Sequence, residues 1–162
     1  MSISGDEHEA LTFHELPAGG KATNPKDVVG SRKLAFSVLP WRVLCNVALA
    51  MMEGALKYGR HNYRAAGVRA SVYFDAVVGR HLTDWWEGVD IDPDSNLHHL
   101  DKAIAGLMVM RDSMLQGNFE DDRPPKGGVD MAALNASASA LIDRYGPVKP
   151  RHYTIADTEA KP

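Results

Sequence analysis

Cysteine is almost missing: Cys45 is the only one in 162 residues. That excludes an internal disulfide and any zinc site built on cysteines. In its setting, Val43-Leu44-Cys45-Asn46-Val47, the thiol is expected to be buried and to act as a small apolar group. Neither sign of charge dominates. A net charge of −3 and a pI near 6.1 give no general attraction to nucleic acid or to an anionic membrane. No apolar run approaches the roughly 20 residues that span a bilayer. The first residues are polar and acidic, unlike a signal peptide, so a cytoplasmic protein is expected, in a host's cytoplasm if the source is viral. No Gly-x-x-x-x-Gly-Lys-Ser/Thr loop occurs, which excludes a Walker-type NTPase, and no nucleophile elbow occurs. An HD-type phosphohydrolase needs adjacent His-Asp, whereas Leu100 separates His99 from Asp101.

The chain is 44% hydrophobic and 24% charged, ordinary for one folded domain with a core. Residues 1–23 read as a loose arm, and Asn24-Pro25-Lys26-Asp27 as a turn. From Trp41 the apolar spacing Leu44, Val47, Met51, Ala55, Tyr58 predicts a helix, with Gly59 as its stop. After a polar loop from Arg60 to Ala70, a second helix is expected from about Val72 to Glu87, with Val78, Leu82 and Trp85 inward. The acidic stretch Asp90–Ser95 is a tight connection, and Asp94 or Ser95 is the expected cap of the next helix. That helix runs to about Met114 with Leu97, Leu100, Ile104, Leu107 and Met114 as its core face. Gly117 ends it, and Met131 to Tyr145 reads as a last, Ala-rich helix before an extended tail. Strand signal is slight, so the class is all-α.

Acids and histidines fall on the faces that should be apolar. Val77, His81 and Asp84, with Glu87 following, share one face, as do Leu97, Asp101, Ile104 and Met108, with His98 beside them. A buried carboxylate without a partner costs several kcal/mol on the order of magnitude, so it calls for a cation. An antiparallel hairpin turning near residue 92 would bring Glu87 near His98 and Asp84 near Asp101, with Glu53 and Lys57 toward the same end. Such convergence in a helical bundle suits a divalent metal, and oxygen-rich ligands suit Mg²⁺ or Mn²⁺. A hydrogen-bonded network or plain surface ion pairs would explain the same spacing. Lys26, Lys33, Lys57, Arg60, Arg64, Arg80 and Lys102 are candidate phosphate binders, and Tyr58, Asn62, Tyr63, Trp85 and Trp86 candidate contacts to a base. For Trp85 the core, and for Trp86 a subunit interface, are the competing roles.

Three segments together resemble a known group. They are Asn24-Pro25-Lys26-Asp27 with Gly30 and Lys33, then Glu53-Gly54-Ala55-Leu56-Lys57-Tyr58-Gly59 with Asn62-Tyr63, and last Arg80-His81-Leu82 with Asp90-Ile91-Asp92-Pro93 and His98-His99-Leu100-Asp101. The pattern, over roughly residues 24–115, resembles the phage-type dATP/dGTP diphosphohydrolases, relatives of MazG in the all-α NTP pyrophosphatase superfamily. The resemblance implies a nucleotide domain over 24–116 followed by a C-terminal extension, 117–162. It implies hydrolysis of a purine deoxynucleoside triphosphate, dGTP or dATP, to the monophosphate and pyrophosphate. In some phages that activity supplies dGMP for 2-aminoadenine synthesis. It also implies Mg²⁺ or Mn²⁺, and a helical bundle completed in a homo-oligomer, dimer or tetramer.

MazG-type enzymes carry Glu-Glu-x-x-Glu and Glu-x-x-Asp, where this chain has only Asp84-x-x-Glu87 and His98-x-x-Asp101. His81, Asp84, Glu87, His98 and Asp101 are the expected metal ligands, with Asp90 and Asp92 as further candidates. Glu53 or Glu87 is the expected base. Lys26, Lys33, Lys57, Tyr58, Asn62, Arg80 and Lys102 are the expected substrate contacts. The rival readings are a broad dNTP or dUTP housecleaning enzyme, and a metal-free helical binding protein on the same scaffold.

Overall fold

The computed structural model describes residues 25–30, 32–146 and 150–158. The expected N-terminal arm, residues 1–23, lies outside them. The chain divides into two compact units, Met1–Leu39 and Pro40–Pro162. In the first, α1 spans Pro25–Gly30 and a single 3-10 turn spans Phe36–Val38. The turn expected at Asn24–Asp27 is thus the start of a helix, since proline is well tolerated at a first helical position. Asn24 itself lies outside the described residues.

The second unit is predominantly helical. It holds α2 (Trp41–Tyr58), α3 (Asn62–Ala66), α4 (Ala70–Ala76), α5 (Thr83–Trp86), α6 (His99–Gln116) and α7 (Met131–Tyr145). A π-helical segment, Val77–Leu82, joins α4 to α5 without a break. Two short strands, β1 (Val68–Arg69) and β2 (Phe119–Glu120), pair in parallel. The fold is all-α. Among the described residues, no helix is long and apolar enough to cross a membrane.

The centre is built from small side chains. Val47 and Ala50 of α2, Val77 of the π segment, and Ala103, Ala105 and Val109 of α6 are buried. α6 packs against both α2 and the π segment. A helix held on two sides needs small residues at its contacts, and Gly106 supplies another: a Cβ there would lie 2.8 Å from Val77 Cγ2. The larger side chains expected inside are therefore displaced outward. Val78, Trp85, Leu107 and Met114 are substantially exposed, and so is Cys45. In the π segment Val77 is the buried valine, and Val78 beside it faces outward. Thr83 closes that turn, its hydroxyl donating to Val78 O at 2.6 Å.

Polar contacts fasten the far end. Arg64 makes a two-pronged pair with Asp112, both bonds 2.8 Å, tying α3 to α6. Asn118 Nδ2 donates to the carbonyls of Tyr63 and Arg64, and its Oδ1 accepts from the buried Ser113 hydroxyl. Asp122 accepts from the Ser71 amide and hydroxyl, capping α4. Gly67 sits among these with φ +76° and ψ 177°, a conformation essentially reserved for glycine. A Cβ there would lie 2.2 Å from Asn118 O. Gly67→Ala should therefore lower stability by about 3 kcal/mol, combining backbone strain with a clash that must move main chain. A urea titration reads this directly, and an unchanged midpoint would refute it.

Candidate active site

The connection from α5 to α6 sets the site. Gly88 and Asn96 both have positive φ and bend the chain away from α5 and back into α6. Val89 N–H donates to Asp84 O, His99 N–H to Asp90 O, and Asp92 N–H to Leu97 O. Ile91 and His98 form an isolated antiparallel bridge, so the turn centres between Asp94 and Ser95, not at residue 92. The cap of α6 is His98, whose Nδ1 accepts from Leu100 N–H at 3.1 Å. Asp94 and Ser95 do not fill that place. The later turn centre carries Asp84 toward His99, whose Nε2 lies 3.9 Å from its carboxylate.

A compact ionic group results. Lys102, in the first turn of α6, places its ammonium between two carboxylates, pairing with Asp92 and with Glu53 Oε2 at 3.1 Å. The Ser95 hydroxyl accepts from Lys102 at 3.0 Å and donates to Asp92. Lys57, one turn on from Glu53 in α2, pairs with Glu53 Oε1 at 2.5 Å. All but Lys57 are mostly buried: the side chains of Lys102, Glu53 and Asp92 are 14%, 19% and 11% exposed. Burial by itself would raise the Glu53 carboxyl, but its bonds to Lys57 and Lys102 hold it below its ordinary value. Burial likewise opposes ionisation of Asp92, and the Lys102 and Ser95 bonds overcome it, holding that carboxyl far below the usual range. Both are firmly anionic at neutral pH.

Beside this group lie two histidines. His81 Nδ1 and His99 Nδ1 are 3.0 Å apart, and Lys102 and Asp92 act electrostatically on His81. Burial first, then the positive charge of Lys102, keeps His81 below its ordinary value. His99 is 2% exposed, and its buried Nε2 has no hydrogen-bond partner. His99 was not among the expected site residues.

The other expected residues are dispersed. Glu87 is exposed at the end of α5, and Asp101 is half-buried in the first turn of α6. His98 Nε2 lies 3.9 Å from Asp90. Among the described residues, no three His, Cys, Asp or Glu side chains group as a metal site. Arg80 is exposed in the π segment, Tyr58 is exposed at the end of α2, and Asn62 begins α3. Arg64 is committed to Asp112. Lys26 and Lys33 belong to the first unit. Val78, Leu82, Thr83, Trp85 and Trp86 line a shallow apolar recess.

No curated protein and no solved structure matches the chain. The family model for the N-terminal region of dATP/dGTP diphosphohydrolases matches residues 23–123, more than half of the sequence and all of the ionic group. The chain belongs to the dATP/dGTP diphosphohydrolase family, a family of nucleotide hydrolases.

Proposed function

We propose that the protein hydrolyses dGTP, dATP or both to the monophosphate and pyrophosphate, with Mg²⁺ or Mn²⁺, as a homo-oligomer. A role in supplying dGMP for 2-aminoadenine nucleotide synthesis follows if dGTP is the substrate. The observation that carries this reading is the ionic group around Lys102: two carboxylates held anionic at neutral pH beside two ammonium groups.

A cage of three protein ligands is not needed for Mg²⁺ in a triphosphate site. That ion is commonly held by one or two carboxylates together with phosphate oxygens. Glu53 and Asp92, both kept anionic, fit that donor set. A divalent ion held there supplies Lewis-acid polarisation of the phosphoryl group under attack. Lys57 and Lys102 neutralise charge that accumulates on the departing pyrophosphate. Glu53 is better suited to holding a cation than to taking a proton, because two ammonium groups lower its basicity.

The test incubates the purified protein with each dNTP and NTP, with Mg²⁺, with Mn²⁺ and with EDTA, and resolves the products by chromatography. Expected are monophosphate and pyrophosphate, strongest from dGTP or dATP and abolished by EDTA. Release of inorganic phosphate would mean cleavage at another bond. No turnover of any nucleotide would overturn the reading.

A further inference from the structure

Beyond residue 123, where the family match ends, the chain comes back to the connection that builds the site. Ile155 lies against Gly88: a Cβ on that glycine would collide with Ile155 Cδ1 and stand 3.6 Å from its Cγ1. Gly88 has φ +92°, which already favours glycine, and the isoleucine fills the space of the missing side chain. The segment around Ile155 is folded to present it. Ile155–Asp157 is a single 3-10 turn closed by a capping box, in which Thr154 N–H donates to the Asp157 carboxylate at 2.8 Å. Arg151 pairs with Asp157 and covers the Tyr153 ring, 4.7 Å from its centre. The Thr158 hydroxyl donates to Ile155 O at 2.6 Å. These contacts are all internal to residues 151–158, so the turn brings its own shape to Gly88.

Gly88 is where the connection leaves α5. Val89 N–H donates to Asp84 O beside it, and the chain then runs through the Ile91–His98 bridge and brings Asp92 to Lys102. We propose that Ile155 is a positioning residue: residues 151–158 form a strap that seats Ile155 on Gly88, braces the root of this connection and so holds Asp92 in place against Lys102. The hold is light, since Ile155 remains 65% exposed, which suits a brace that lifts and reseats better than a core contact. Small displacements count at an ionic site, because groups that stabilise developing charge act only when fixed in place beforehand. A tail that merely rested on the surface would leave the connection equally ordered with or without Ile155. The kinetic consequence rests on the hydrolase reading above, and the structural one does not.

Hydrogen exchange read by mass spectrometry, on the full chain without nucleotide, tests the brace. In Ile155→Asp the peptide spanning residues 88–98 should exchange roughly tenfold faster than in the wild type, while peptides around Gly67 and Asn118 keep their rates. Asp157→Ala removes the carboxylate that accepts from Thr154 and pairs with Arg151, and should reproduce the effect more weakly. Ile155→Val keeps a branched apolar end and should stay at the wild-type rate. Ile155→Asp should also lose roughly fivefold in kcat with KM near wild type, and Ile155→Val should not. Unchanged exchange over 88–98 in Ile155→Asp overturns the strap, and so does a rise spread over all peptides, which would mean general loosening. Faster exchange with an unchanged kcat overturns the positioning of the site. Absence of turnover by the wild-type protein refutes the hydrolase reading itself, and the exchange rates still decide the strap.

Discussion

Lys102→Met should lower stability by about 3 kcal/mol and activity by roughly 100- to 1,000-fold. Methionine keeps the length of the side chain and removes the charge. Glu53 and Asp92 would then lie mostly buried without the cation that both now share. Lys57 would still pair with Glu53, but Asp92 would keep only neutral donors, the Ser95 hydroxyl and the Asp94 backbone. Breaking such a pair is far more costly than never having built it, because the surviving charge has no solvent to return to. The pH dependence carries the mechanism. Both carboxyls are depressed in the folded protein, so their contribution is complete above the ordinary carboxylate range and fades as pH falls through the folded values. The gap between wild type and Lys102→Met should therefore be widest near pH 7 and narrow toward pH 3. Urea unfolding at both pH values measures it. A gap of constant size would assign the loss to packing of the side-chain stem instead of to charge.

Much of the fold was legible because its signals are local. α2 ends at Tyr58 with Gly59 following, and α7 spans Met131–Tyr145, both as the spacing and punctuation require. The interior was harder to read, since side-chain size misleads where helices pack closely. Ala103, Ala105 and Gly106 allow α6 to approach its neighbours, and the leucines that dominate any hydrophobic pattern, such as Leu107, are pushed to the rim. The site was legible in part. Glu53, Lys57 and Lys102 were recognisable from their spacing, and Asp92 as a candidate. The closure of Glu53 and Asp92 on the Lys102 ammonium depends on the turn between Asp94 and Ser95, fixed by the left-handed Asn96. His98 and His99 are neighbours, so a one-residue shift in where α6 begins decides which faces inward. The π segment made the inward partner harder still to foresee, because a uniform helical period cannot represent it.

If the chain forms the homo-oligomer proposed above, disrupting the outer face of α2 should divide it. Val47 and Ala50 turn that helix inward, yet Leu49, Met52 and Leu56 are 50%, 57% and 86% exposed. Spaced by three and four, they form one stripe along the opposite side. Leaving three such side chains in water forgoes about 1.5–3 kcal/mol apiece. In a unit whose buried apolar residues are only valine and alanine among the described residues, that stripe is an unused source of stability on α2. A second copy is the occupant most consistent with the homo-oligomer proposed above, and it would bring the Glu53 side of α2 near another subunit. Met52→Glu with Leu56→Glu places two like charges, one turn apart, where the partner must be dry. Light scattering coupled to size exclusion should show the mass of a single chain for the double variant and a multiple of it for the wild type. Circular dichroism should be unchanged, because neither residue is buried in the single chain. A wild-type protein that already elutes with the mass of one chain would refute the assembly, and with it any requirement for a second copy at the ionic group.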